Sequence, residues 1–241
     1  MSISVVIPYK SNTRTSNLEL IYALRSLEKN LNGFGEVFIV GDKINSIKGL
    51  NYISVKDDKS SKFKERNIYR KILAACNDER VSEDFIFTND DIMLTKPFDV
   101  NNIPFYHKGE LIDTMAKNAG DYRKSLNHSR KYLMKMGKST LDYDTHFPIV
   151  YNKEKFSRTF VHSYVNWDQD YGYVIKSLYC NMNEVKGEYG GDCKIQMAMI
   201  YEEIVKKIGD KAFFSTSNGC MNADMIKYLN EQYDQPSRFE E

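Results

Sequence analysis

Asn89, Asp90 and Asp91 stand together between two apolar runs, Phe85-Ile86-Phe87-Thr88 before them and Ile92-Met93-Leu94 after. Adjacent carboxylates repel one another unless a cation sits between or beside them. Hard divalent cations such as Mn²⁺ or Mg²⁺ prefer these oxygen donors and can also bridge a diphosphate. The first apolar run reads as a short buried strand, which places the three polar side chains at its C-terminal tip. Asn and Asp also favour turns, so a polar turn between two strands accounts for the same residues without any ligand.

Three later segments carry further chemistry. Asp142-Tyr143-Asp144-Thr145-His146-Phe147-Pro148 leads into a strand-like run. His146 could ligate a metal, hold a phosphate oxygen or move a proton, and a lone histidine is also often structural. Asn166-Trp167-Asp168 precedes a helix that runs to about Asn181. Asp168 could cap that helix, or serve as a carboxylate base beside an acceptor stacked on Trp167. Lys186 to Lys194 is a glycine-rich loop in which Asp192 and Lys194 could face a substrate, or which could be a surface hairpin.

The elements that must position these groups alternate. Ile3 to Pro8 is a strand, Leu18 to Leu31 a helix ended by Gly33 and Gly35, Val37 to Val40 a strand stopped at Gly41-Asp42, and Tyr52 to Val55 a third strand. Lys62 to Cys76 is a second helix, and Phe85 to Thr88 the fourth strand. Strands with apolar residues at every position, in β-α-β-β-α-β order, predict an α/β domain with a mostly parallel central sheet flanked by helices. Ligands of such sheets gather beyond the strand C-termini, so the loop from Pro8 to Asn17, Asp42 and the Asn-Asp-Asp cluster share one rim. The C-terminal half is a more irregular α+β region. Its basic stretch from Arg123 to Lys138 reads as a solvated helix face, with a landing strip for an anionic acceptor as the functional alternative. Gly137-Lys138-Ser139-Thr140 mimics the end of a phosphate-binding loop, but Tyr132 stands where the earlier glycine is required.

The 241 residues fit a single domain, and a formal net charge of +1 excludes a global field toward nucleic acid or anionic membrane. Four scattered cysteines without a C-x-x-C pair argue against zinc. With no basic, apolar leader at Met1 and no apolar run of bilayer length, a reducing, cytoplasmic location is expected.

The chain resembles nucleotide-sugar glycosyltransferases of the GT-A fold, which is Rossmann-like. The resemblance rests on Val5-Val6-Ile7-Pro8-Tyr9, Val37-Phe38-Ile39-Val40-Gly41-Asp42, the helix with Asn67 and Lys71, and Asn89-Asp90-Asp91, which looks like the family's D-x-D motif with Asn89 in the first acidic place. It implies that residues 1–100 bind a nucleoside diphosphate sugar, most often UDP-linked, and that residues 101–241 bind the acceptor within the same domain. Pro8, Tyr9 and the loop to Asn12 would flank base and ribose, and Asp42 would accept a hydrogen bond from the base. Asn67 and Lys71 would point toward ribose and diphosphate. Asp91, with Asn89 or Asp90, would hold Mn²⁺ or Mg²⁺, and His146 or Asp192 would complete that shell. If the reaction inverts configuration a base is required, with Asp168 first and Asp192 second. The acceptor is a glycan or another hydroxyl-bearing molecule. The Asn-Asp-Asp form and His146-Phe147-Pro148 also resemble Stealth-type sugar-phosphate transferases, which implies sugar-1-phosphate transfer as an alternative. A nucleic-acid-binding protein, or one that glycosylates modified DNA bases, is the third reading.

Overall fold

A computed structural model describes residues 2–11, 17–44, 47–58, 64–112, 120–161, 165, 167 and 172–240. In chain order the elements are β1 (Ile3–Tyr9), α1 (Leu18–Asn30), β2 (Leu31–Asn32), β3 (Phe34–Gly41), β4 (Asn51–Ser54), α2 (Lys64–Cys76), β5 (Asp84–Phe87), β6 (Ile92–Leu94) and β7 (Phe98–Asp99). A 3₁₀ turn (Val100–Asn102), β8 (Tyr106–His107), α3 (Asp121–Lys135), β9 (Ile149–Asn152), α4 (Lys153–Phe160), α5 (Ile175–Met182), β10 (Glu188–Tyr189), α6 (Tyr201–Ile208), β11 (Phe213–Ser215) and α7 (Ala223–Gln232) follow.

The central sheet has the order β4-β3-β1-β5-β9. Its first four strands are parallel and β9 is antiparallel to β5. Both faces are covered, which is why these strands are apolar at successive positions rather than at alternate ones. Val5, Ile7, Val37, Ile39 and Ile86 turn toward Leu20, Leu24 and Leu27 of α1. Val6, Phe38, Val40, Phe85 and Phe87 turn the other way, toward Ile72 of α2, Phe156 and Phe160 of α4, and Leu178 of α5. The expected mostly parallel α/β sheet flanked by helices is therefore present.

Boundaries differ in instructive places. β3 begins at Phe34 rather than Val37, because Gly33, at φ +86°, reverses the chain at once and leaves no loop to span. The helix expected to run into Asn181 starts only at Ile175, and the candidate base Asp168 before it lies outside the described residues, as does Asn12. α3 buries Ser125, Ser129 and Leu133 and leaves Arg123, Lys131 and Lys135 exposed, the arrangement of a solvated face.

Connectivity fixes where a site can form. From β1 the chain moves outward to β3 and β4, then returns through α2 to β5 on the opposite side of β1. The C-terminal ends of β1 and β5 thus flank a topological switch point, where the loops diverge and leave a crevice. The C-terminal half closes over it. β11 pairs antiparallel with β6, directly after Asp91, and a third core of Met93, Phe214, Ile204, Ile208, Met225 and Leu229 joins this pair to α6 and α7. Among the described residues no helix is long and apolar enough to cross a membrane.

Candidate active site

The Asn89–Asp91 turn is held on three sides. The Thr88 N–H donates to the Val6 carbonyl at 3.1 Å, the Ile92 N–H to the Asn89 carbonyl at 3.4 Å, and the Thr216 N–H to the Asp91 carbonyl at 3.0 Å. The tip is therefore fixed by β1, by its own turn and by the exit of β11.

The rim beside it is built by long-range pairs. Lys71, buried in α2, donates to the Tyr9 carbonyl at 3.0 Å and pairs with Asp57 at 3.0 Å. It crosses the end of β3 at Gly41, whose φ is +133° and where an added Cβ would lie 2.0 Å from the Tyr9 oxygen and 3.0 Å from Lys71 Cε. Only glycine fits there. Asn67 is tied to the Asp58 backbone, accepting from its N–H at 3.0 Å and donating to its carbonyl at 3.1 Å. Asp42 Oδ2 accepts from the Ser11 N–H at 2.8 Å and hydroxyl at 3.0 Å, and the Tyr9 hydroxyl donates to Asn17.

Two cavities open against the tip and share Asp90 and Asp91 as a wall. One, of about 470 Å³, lies between Pro8, Lys10, Asp58, Lys64, Asn67 and Lys71. The other, of about 410 Å³, lies between Tyr9, Ser11, Asn17, Glu19, Ser217 and Asn218. Both have the size of small-ligand sites.

His146 and Asp192 come together although 46 residues separate them. The ring Nδ1 is 2.6 Å from Asp192 Oδ2, and the His146 N–H donates to Oδ1 at 3.1 Å. Lys194 Nζ lies 3.1 Å from the other ring nitrogen, Nε2, and 3.9 Å from Asp91 Oδ2. An ammonium can only donate, so Nε2 is the acceptor and Nδ1 carries the proton toward Asp192. The His146 turn is rigid because Lys176, buried in α5, donates to the carbonyls on either side, Thr145 at 2.8 Å and Phe147 at 2.7 Å.

The charge of the tip is only partly compensated. Burial, then the charges of Asp91 and Glu19, push Asp90 up to about 7. Burial also raises Asp91, against the pull of Lys194. Glu19 is raised by burial and by Asp91, although Thr216 donates a hydrogen bond to it at 3.0 Å. Asp192 behaves oppositely: burial works to raise it, but the hydrogen bonds from His146, with the charge of Lys108, outweigh that and hold it low. Asp91 Oδ1 is buried with no hydrogen-bond partner among the described residues. Clustered carboxylates raised by burial and mutual repulsion, with an orphaned oxygen among them, fit a hard divalent cation. Among the described residues no group of three or more His, Cys, Asp or Glu side chains is set to enclose an ion. The donor set therefore suits a cation that keeps water and takes further oxygens from a phosphate ligand, as Mg²⁺ commonly does.

Of the residues expected from sequence, Pro8, Asn67, Lys71, Asn89, Asp90 and Asp91 line the first cavity, and Tyr9 the second. Asp42 borders neither cavity and anchors Ser11. His146 and Asp192 reach the tip through Lys194. Trp167 does not offer an open stacking face on the side of Tyr69, whose ring lies 4.2 Å away at 11°. Glu19, Asp57, Asp58, Lys64 and Thr216 were not expected. Glu19 looks like an ordinary acid in the first turn of a helix, and only its contact with Thr216, 197 residues away, reveals its place.

Neither a protein-family model nor a curated protein matches this chain. Solved structures do match. One, a glycosyltransferase involved in the glycosylation of the major capsid of PBCV-1, aligns over 96% of this chain and 100% of its own, with 10% identity and a TM-score of 0.46.

Proposed function

We propose that the chain is a divalent-cation-dependent glycosyltransferase of the GT-A type, moving a sugar from a nucleoside diphosphate sugar, UDP-linked in the first instance, to a hydroxyl of a glycan or other acceptor. The observation that carries this reading is the Asp90–Asp91 tip: an under-neutralised acidic pair with an oxygen orphaned among the described residues, at the switch point of the sheet, between two cavities. In this reading residues 1–100 bind the donor and residues 101–241 the acceptor.

The donor is assigned to the cavity where Lys10 and Lys64 face the Asp90–Asp91 tip, so that these lysines and a tip-bound cation together would offset the diphosphate charge, Lys71 being paired with Asp57. Asp91, with Asn89 or Asp90, holds Mn²⁺ or Mg²⁺, and His146 is the candidate ligand from the second half. When bound, the cation supplies Lewis-acid neutralisation of the departing diphosphate. Lys71, clamped between Tyr9 and Asp57, shapes the wall rather than swinging. The acceptor oxygen attacks the anomeric carbon as the bond to the diphosphate breaks. Asp192 is engaged twice by His146, so it orients the ring and turns the Nε2 lone pair toward the Asp91 tip. If the reaction inverts configuration, Asp168 is the first candidate to take the hydroxyl proton.

Hydrolysis of a panel of sugar nucleotides with Mn²⁺, followed by loss of product in Asp91→Ala, tests this. The expected decrease is about 100-fold or more with the melting temperature retained. Undiminished hydrolysis in the variant would remove Asp91 from the chemistry.

A further inference from the structure

Lys194 is pinned by its backbone. Its neighbours lock to β11, with the Ile195 N–H donating to the Ser215 carbonyl at 2.9 Å and the Ser215 N–H to the Cys193 carbonyl at 2.8 Å. The side chain therefore starts from a fixed point and ends between the two halves of the site. Its ammonium lies 3.1 Å from an imidazole lone pair and 3.9 Å from a carboxylate oxygen. These are two of the ligand types that Mn²⁺ takes, and the other oxygen of that carboxylate, Asp91 Oδ1, is buried without a partner among the described residues. The ammonium and a divalent ion cannot share this position, since like charges at such distances repel strongly.

We infer that Lys194 is a placeholder cation: it holds Asp91 and His146 in their ligating arrangement, yields its position to the divalent ion, and then pairs with the diphosphate of the donor. This rests on the metal site proposed above. The lysine stem, flexible and only partly exposed, allows the ammonium to move while the backbone stays. One consequence is coupling. Metal alone must displace Lys194 into water, whereas metal with nucleotide offers the ammonium a new partner, so each ligand tightens the other.

Titration of the full chain with Mn²⁺, followed by electron paramagnetic resonance of the free ion with and without UDP, tests this. Lys194→Met is expected to bind Mn²⁺ alone about tenfold more tightly than the parent, because the competing charge is gone. It is also expected to lose most of the tightening that UDP confers, while Lys194→Arg keeps the parental pattern. Equal or weaker Mn²⁺ binding by Lys194→Met, with Asp91→Asn still weakening it, overturns the placeholder and leaves the metal site standing. No Mn²⁺ binding by any of the proteins, each folded by circular dichroism, overturns the metal site and the placeholder together.

Discussion

Asp90 and Asp91 are adjacent in sequence but stand in different electrostatic positions. Asp91 faces Lys194 and His146, whereas the groups that act on Asp90 besides burial are chiefly the carboxylates of Asp91 and Glu19. Asp90 is thus an acid whose folded pKa, about 7, stands above the ordinary 3.8. Between those values the folded chain binds a proton that the unfolded chain releases, so stability falls as pH rises through the window and the loss is complete above it. Asp90→Asn removes the conflict. In the absence of divalent cation it is expected to be more stable than the parent by about 1–2 kcal/mol at pH 8, with the gain shrinking toward pH 4. Urea unfolding at the two pH values checks both size and sign.

At the scale of elements, the rim depends on contacts that cross strand and helix ends. Gly41 lets α2 deliver Lys71 over β3, and Gly41→Ala would force Cβ against the Tyr9 carbonyl. It is expected to destabilise by about 2 kcal/mol or more and to weaken nucleotide binding, which thermal unfolding and UDP titration would show. Thr216 joins β11 to α1 through Glu19. Thr216→Val keeps the shape but removes the hydrogen bond to a buried carboxylate, for an expected loss of about 1–3 kcal/mol in chemical denaturation at neutral pH. The main elements were legible beforehand because buried parallel strands are continuous apolar runs and α1 carries Leu20, Leu24 and Leu27 on one face. The pairings of β2 with β7 and β8 with β10 were not, since two-residue strands leave no periodicity to read.

Across the whole molecule, the site is where distant stretches of chain converge. The tip, its apolar strand and the rim at Pro8 and Tyr9 could be named in advance, because the C-terminal ends of parallel strands must face one crevice, whereas Asn67 and Lys71, inside a helix, were named only through the resemblance to a family. The His146–Asp192 and His146–Lys194 pairs and the Glu19–Thr216 contact span separations of 46, 48 and 197 residues, β11 likewise closes on β6 from a distant stretch of chain, and no local pattern encodes such pairs. What they build is a negatively charged tip that the protein's own lysine only partly neutralises. The most direct measurement of its purpose is anomalous diffraction from crystals soaked with Mn²⁺ and UDP. The manganese peak is expected at the Asp91 carboxylate, with the diphosphate beside it in the cavity that Lys64 and Lys71 line. A nucleotide bound elsewhere, with no manganese at Asp91, would contradict the central claim.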